Sequence, residues 1–130
     1  MMIADTDVLI DFLAGAEPWA KRIRLELQGG RLHTTSLTAF ELLAAARGKK
    51  QRAAVEKLLD ALTVLPVDRA VGEQAARLQR EHDSTTTRMC MQDAMVAATC
   101  LHHRGVLLVR DARRFDRVAG LILSVASRGD

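Results

Sequence analysis

An α/β protein with a mainly parallel central sheet is what this sequence predicts, and three observations predict it. Short apolar runs alternate with longer amphipathic ones along 130 residues, so strands are separated by helices and must pair in parallel. Val106-Leu107-Leu108-Val109 is a continuous apolar run of the kind buried on both faces of a sheet. Val55, Leu58, Leu59 and Leu62 recur at helical spacing and make one amphipathic stripe.

The elements follow in order. Met2-Ile3-Ala4 is a short strand, followed by a helix through Val8-Leu9-Ile10-Asp11-Phe12-Leu13 that stops at Gly15. Pro18 opens a second helix in its first turn, and Gly29-Gly30 closes it beyond about Leu27. Leu32-His33-Thr34 is the second strand. A third helix runs from about Leu37 to Arg47, with Gly48 as its stop, and the Val55–Leu62 helix comes next. Thr63-Val64-Leu65 is a strand, after which Asp68 caps a helix carrying Val71, Ala75 and Leu78. The polar run Asp83-Ser84-Thr85-Thr86-Thr87-Arg88 reads as a loop. A helix rich in small residues, Ala94 to Leu101, ends near His102-His103-Arg104-Gly105. The Val106–Val109 strand, a short helical turn and a last strand, Leu121-Ile122-Leu123, complete the pattern.

Composition narrows the function. Hydrophobic residues at 48% and charged residues at 27% describe a packed domain, expected to span residues 1–130 as one unit, and not a disordered tail. A formal charge of +3 is compatible with a polyanionic partner. Aromatics are only 3%, with no Tyr, which excludes a platform of stacked rings for single strands. No apolar run approaches the roughly 20 residues that span a bilayer. Asp5, Asp7 and Asp11 interrupt what a secretory signal would need as its apolar stretch, so a cytoplasmic location is expected. Cys90 and Cys100 match no metal knuckle or redox spacing and read as free thiols.

Sites in parallel sheets form at the carboxyl ends of the strands. Asp5 lies just past the first strand and Asp111 just past the Val106–Val109 strand. Glu41 and Asp93 sit on helices among apolar neighbours, where a lone carboxylate is costly unless paired or bound to a metal. Four such acids within about 5 Å of one another would repel by roughly 3 kcal/mol per pair at an effective dielectric of about 20. No lysine is placed by the pattern to offset them, whereas a divalent cation would, and hard oxygen ligands suit Mg²⁺ or Mn²⁺. Structural roles compete. Thr38 and Glu41 fit a capping box, Asp93 an acid in a helix first turn, and Asp111 an N-cap; Asp5, ending a buried strand, has little to cap.

At these residues the sequence resembles the PIN-domain ribonucleases, and most closely their bacterial VapC-type toxins. The four stretches that carry the resemblance are Met2–Ile10, Thr38–Ala46, Asp93–Thr99 and Leu107–Phe115 with Val118–Leu121, in order and correctly spaced. The resemblance implies a three-layer α/β/α fold, Mg²⁺- or Mn²⁺-dependent RNA cleavage by activated water, a small antitoxin protein that blocks the site, and a homodimer. Carried over residue by residue, it implies that Asp5, Glu41, Asp93 and Asp111 form the catalytic metal site, with Thr6 as a supporting hydroxyl. Three positions depart from the family pattern. Val109 stands where a hydroxyl residue is common, Arg114 where many members carry an acid, and Asp7 where a small polar residue is usual, which leaves the fourth acid open: Asp111 either shares its role with Asp116 or only supports the ligands.

Arg110, Arg113, Arg114 and Arg117 follow the last acid and are expected to track RNA phosphates, the first three most directly; Arg47, Lys49, Lys50 and Arg52 form a second basic cluster, equally readable as solvated surface. Trp19, Ile23 and Leu27 form a stripe whose first reading is core packing; the family's antitoxin or dimer face lies among such early helices, which makes a partly exposed Trp19 the alternative. Two other functions fit parts of the pattern. Asp5-Thr6-Asp7 after a strand is similar to the nucleophile motif of haloacid-dehalogenase-type phosphatases, but Val8 and Leu9 follow where a hydroxyl is expected and no convincing lysine follows. A catalytically silent RNA- or protein-binding module that keeps the PIN fold is the other alternative.

Overall fold

In the computed structural model, residues 1–82 and 89–126 are described; the expected loop at 83–88 lies outside them. Five strands form one sheet in the order β3-β2-β1-β4-β5, and every neighbouring pair is parallel. They are β1 (Met2–Ala4), β2 (Leu32–Thr35), β3 (Thr63–Leu65), β4 (Val106–Leu108) and β5 (Ile122–Ser124). The helices are α1 (Thr6–Ala14), α2 (Trp19–Gln28), α3 (Ser36–Ala45), α4 (Gly48–Ala61), α5 (Arg69–His82) and α6 (Met91–His103).

Alternation along the strands sends successive side chains to opposite faces. Ile3 and Leu107 join one buried cluster with Val71, Ala75 and Leu78 of α5 and Ala94, Ala97 and Ala98 of α6. Ala4 and Leu108, the next residues along, join the other with Val8 and Leu9 of α1, Ile23 of α2, Leu42 of α3 and Val55 and Leu58 of α4. The result is three layers, α/β/α, with β1 in the middle of the sheet.

Trp19 is 2% exposed and packs with Ile23 in the core, as its stripe predicts, so the partly exposed alternative is not realised. Gly48 does not stop the third helix. That helix ends at Ala45, and Gly48, at φ +75°, opens α4 after a break at Ala46-Arg47. Gln51 closes the break by accepting a bond from the Arg47 N–H at 2.7 Å. The expected Thr38–Glu41 capping box does not form either. Thr35 is the N-cap of α3 and accepts from the Thr38 N–H, which frees Glu41 for another partner.

The parallel order reverses at β1, whose two neighbours are β2 on one side and β4 on the other. Two bonds at the carboxyl end tie β1 to these neighbours: Asp5 N–H to the Leu108 carbonyl at 3.0 Å, and the buried Thr34 hydroxyl to the Ala4 carbonyl at 2.7 Å. At the other end of β4, Arg104 takes φ +54° and Gly105 follows, donating to the Cys100 carbonyl at 2.9 Å. A Cβ at Gly105 would lie 2.5 Å from Ile3 Cδ1, which is fully buried. Gly105→Ala is therefore expected to cost about 1–3 kcal/mol through overpacking against β1. Urea denaturation measures this, and an unchanged midpoint would show that Ile3 has room to shift.

Candidate active site

Asp5 occupies the N-cap position of α1, yet its carboxylate makes no side-chain capping bond. It is 2% exposed and turns instead to Arg114, whose Nη1 donates to Asp5 Oδ2 at 2.8 Å. The same guanidinium reaches Asp93 on α6 through two bonds, Nη2 to Oδ1 at 2.5 Å and Nε to Oδ2 at 3.4 Å. Asp7, in the first turn of α1, stands 3.6 Å away across the same Nη1. Three acids from two elements thus converge on one cation.

Asp93 is placed by the start of α6, where Cys90 is the N-cap and its sulfur accepts from the Asp93 N–H at 3.4 Å. Glu41 arrives from α3. Thr6 Oγ1 lies 3.0 Å from both Glu41 Oε1 and Thr38 Oγ1. With one proton on each hydroxyl, Thr6 donates to the carboxylate and accepts from Thr38. Thr6 follows Asp5 directly, so this bond brings Glu41 to the end of β1.

Asp111 takes a different course. It caps the 3-10 turn Ala112–Arg114, accepting from the Arg113 N–H at 3.0 Å, and grips the Arg113 guanidinium at 3.0 and 2.9 Å. The structural alternative, an N-cap, is what the geometry realises. Asp116 is exposed and lines a cavity of about 390 Å³ together with His82, Met89, Asp93, Arg113, Arg114 and Arg117. Arg110 faces the other way, bonded to both carboxylate oxygens of Asp11 at 2.6 and 3.2 Å and to the Asp7 carbonyl at 3.2 Å.

Among the described residues no lysine meets the acids, as the sequence pattern indicates, but an arginine does. Arg114, expected to face RNA, supplies the counter-charge, and Arg110 is committed to α1. Asp7 is the acid that sequence reasoning left out of the site. Its signal was its place two residues after Asp5, at the first turn of a helix that starts on the site edge.

Electrostatics follow the burial. Desolvation raises the pKa of Asp5 above its ordinary value, more than the Arg114 charge and the Thr6 amide lower it. Burial also works against the Arg114 charge, but bonds to Asp93 and Asp5 and their charges prevail and hold it protonated. Asp111 is pulled down to about 2 by its hydrogen bonds with Arg113. Burial, with the Asp5 charge nearby, pushes the Cys100 thiol up to about 12, which leaves it inert as a nucleophile.

The donor chemistry fits a hard divalent cation, since carboxylate oxygens from Asp5, Asp7 and Asp93 already surround one positive charge. Among the described residues no three acids stand close enough to chelate an ion as they are. The guanidinium lies between them.

The raised pKa of Asp5 has a definite sign in stability. The folded chain holds the Asp5 proton more tightly than the unfolded chain, so its charge is a cost that appears as pH rises through the folded pKa. Asp5→Asn imitates the protonated form. In metal-free buffer it is expected to melt higher than the wild type at pH 7, with the difference closing as the solution is made acidic. Thermal melts across pH check this, and a gain that grew on acidification would contradict it.

Comparison with known proteins identifies the family. The PIN domain family pattern matches residues 2–121. Ribonuclease VapC19 of Mycobacterium tuberculosis is 31% identical over 117 residues, covering 88% of this chain and 92% of that protein. A chain of the VapBC2 complex from Rickettsia felis, bound to a promoter DNA fragment, superposes with a TM-score of 0.82 at 14% identity, over 97% of this chain and 98% of that one. A chain of DNA-bound VapBC from Salmonella typhimurium gives 0.82 at 22% identity, over 95% and 96%. The matched span of residues 2–121 and the 31% identical relative decide it: the chain belongs to the PIN domain family.

Proposed function

We propose that this protein is an endoribonuclease dependent on Mg²⁺ or Mn²⁺, and the toxin of a toxin–antitoxin pair acting in the cytoplasm. The observation that carries the reading is the convergence of Asp5, Asp7 and Asp93 on a single cation at the sheet switch point, in a chain 31% identical to a ribonuclease. Asp5 and Asp93 are the residues we assign to holding the ion, with Asp7 beside them and Glu41 brought to the same edge by Thr6. Asp111 and Asp116 belong to the rim and not to the centre.

A divalent ion held there would activate water and neutralise charge on the scissile phosphate. The chain's own contribution is position and charge. Burial of Asp5 keeps its end of the site out of water and strengthens its pull on any cation. Thr6 fixes the rotamer of Glu41. Arg113 and Arg117, on the wall of the 390 Å³ cavity, offset the acids for a polyanion. Water attack at phosphorus with departure of the 3′ oxygen leaves a 3′-hydroxyl and a 5′-phosphate.

The partner reading has its own support. VapBC structures that resemble this chain are DNA-bound, or belong to a family of toxin–antitoxin systems, and here an apolar groove of about 370 Å³ runs between α1, α3 and α4, lined by Ile10, Leu13, Leu42, Ala45 and Val55. Ile10, in its lining, is 43% exposed. We assign this face to antitoxin binding or to a second copy of the chain. No helix among the described residues is long and apolar enough to cross a membrane.

One observation favours the silent-module reading: the acids are already ion-paired with Arg114. Cleavage of total cellular RNA decides between the two. Cutting is expected in Mn²⁺, none in EDTA, and a loss of at least about 100-fold in Asp93→Asn, which keeps the side-chain shape and removes the charge. Fragments ending in 2′,3′-cyclic phosphate would sink the mechanism, and a variant that cuts like the wild type would sink the site.

A further inference from the structure

Arg114 sits where its family resemblance leads one to expect an acid, and its surroundings separate a fixed backbone from a movable side chain. The turn that carries it is pinned on both sides. Asp111 holds the Arg113 N–H before it, and Phe115 after it is 1% exposed in the core. The Arg114 side chain is different: it is 34% exposed, against 2% for Asp5 and 14% for Asp93. Its outer side faces the cavity of about 390 Å³ that it shares with Arg113 and Arg117. An open path therefore leads from the acids to solvent, and only a change of side-chain torsions is needed to take it.

The charges favour exchange. Three carboxylates and one guanidinium leave the centre with a formal charge of two negative units. The guanidinium nitrogens lie 2.5, 2.8 and 3.6 Å from oxygens of Asp93, Asp5 and Asp7. A small divalent ion needs oxygens at roughly 2.0–2.1 Å in the same space. The planar guanidinium and the ion cannot occupy that space together.

We propose that Arg114 is a built-in counter-cation, which holds the acids together when no ion is present and which a divalent cation must displace to bind. The proposal rests on the metal-site reading above and adds its regulation. Loading is then an exchange, one side chain out for one ion in, and the affinity for metal is lowered by the fraction of time Arg114 occupies the site. Once displaced, Arg114 stands in the cavity beside Arg113 and Arg117, where a phosphate would hold it. A polyanion and a divalent ion thereby favour each other's binding.

Calorimetric titration of the full chain with Mn²⁺ tests this in the wild type, Arg114→Ala, Arg114→Gln, Arg114→Lys and Asp5→Asn, with circular dichroism as the check on folding. Removing the charge is expected to tighten Mn²⁺ binding at least 10-fold in both the Ala and the Gln variant, while the Lys variant stays near the wild type. In EDTA, Arg114→Gln is expected to melt below the wild type, and Mn²⁺ to raise its melting temperature by more. Equal or weaker binding in both neutral variants, with binding lost in Asp5→Asn, would overturn the exchange and leave the metal site standing. Mn²⁺ binding by none of these chains would overturn both readings.

Discussion

A carboxylate that is 2% exposed at the end of the middle strand is the constraint around which the molecule is arranged. A buried charge is tolerated only with a partner, and Asp5 can find one only at the carboxyl edge of the sheet. That edge is therefore where separate parts of the chain have to meet. The first turn of α1 supplies Asp7, α6 supplies Asp93, and the turn after β4 supplies Arg114. The parallel order makes this meeting possible, because β2 and β4 flank β1 with their carboxyl ends on the same side.

A short polar string from β2 into α3 does much of the positioning. Thr34 bonds the last carbonyl of β1, and Thr35 caps α3. Ser36 accepts from the Val67 N–H and so fastens the chain after β3, while Thr38 meets Thr6 beneath Glu41. These threonines are buried hydroxyls, each with a bond, so they specify geometry without leaving polar atoms unsatisfied. On the other flank the two bonds between Arg110 and Asp11 fasten the chain after β4 to α1.

The architecture was legible in the sequence because its signals are local. Apolar runs of three or four residues mark β1, β3 and β4, and helical stripes mark α4 and α5. Asp5, Glu41 and Asp93 could be singled out because each is an acid set against an apolar background. What could not be read is direction. Arg110, Arg113, Arg114 and Arg117 are alike as letters, and only the 3-10 turn decides that Arg113 meets Asp111 while Arg114 turns inward. Gly48 misled for a related reason: a positive φ ends a helix in many chains, but here the same conformation starts one. Glu41 looked like a cap because Thr38 precedes it by three residues, and the real cap, Thr35, lies one turn earlier.

The register of the middle strand carries a consequence for synthesis. Met2 pairs with Val106, so β1 waits with one open edge until β4 has been made. Until then Asp5 lacks the Leu108 carbonyl that anchors its amide, Asp93 lacks Arg114, and the arginine-lined wall of the cavity does not exist. A ribosome making this chain holds an incomplete centre for most of translation. The centre closes only when the turn after β4, which carries Arg114, has joined the strand that was made first.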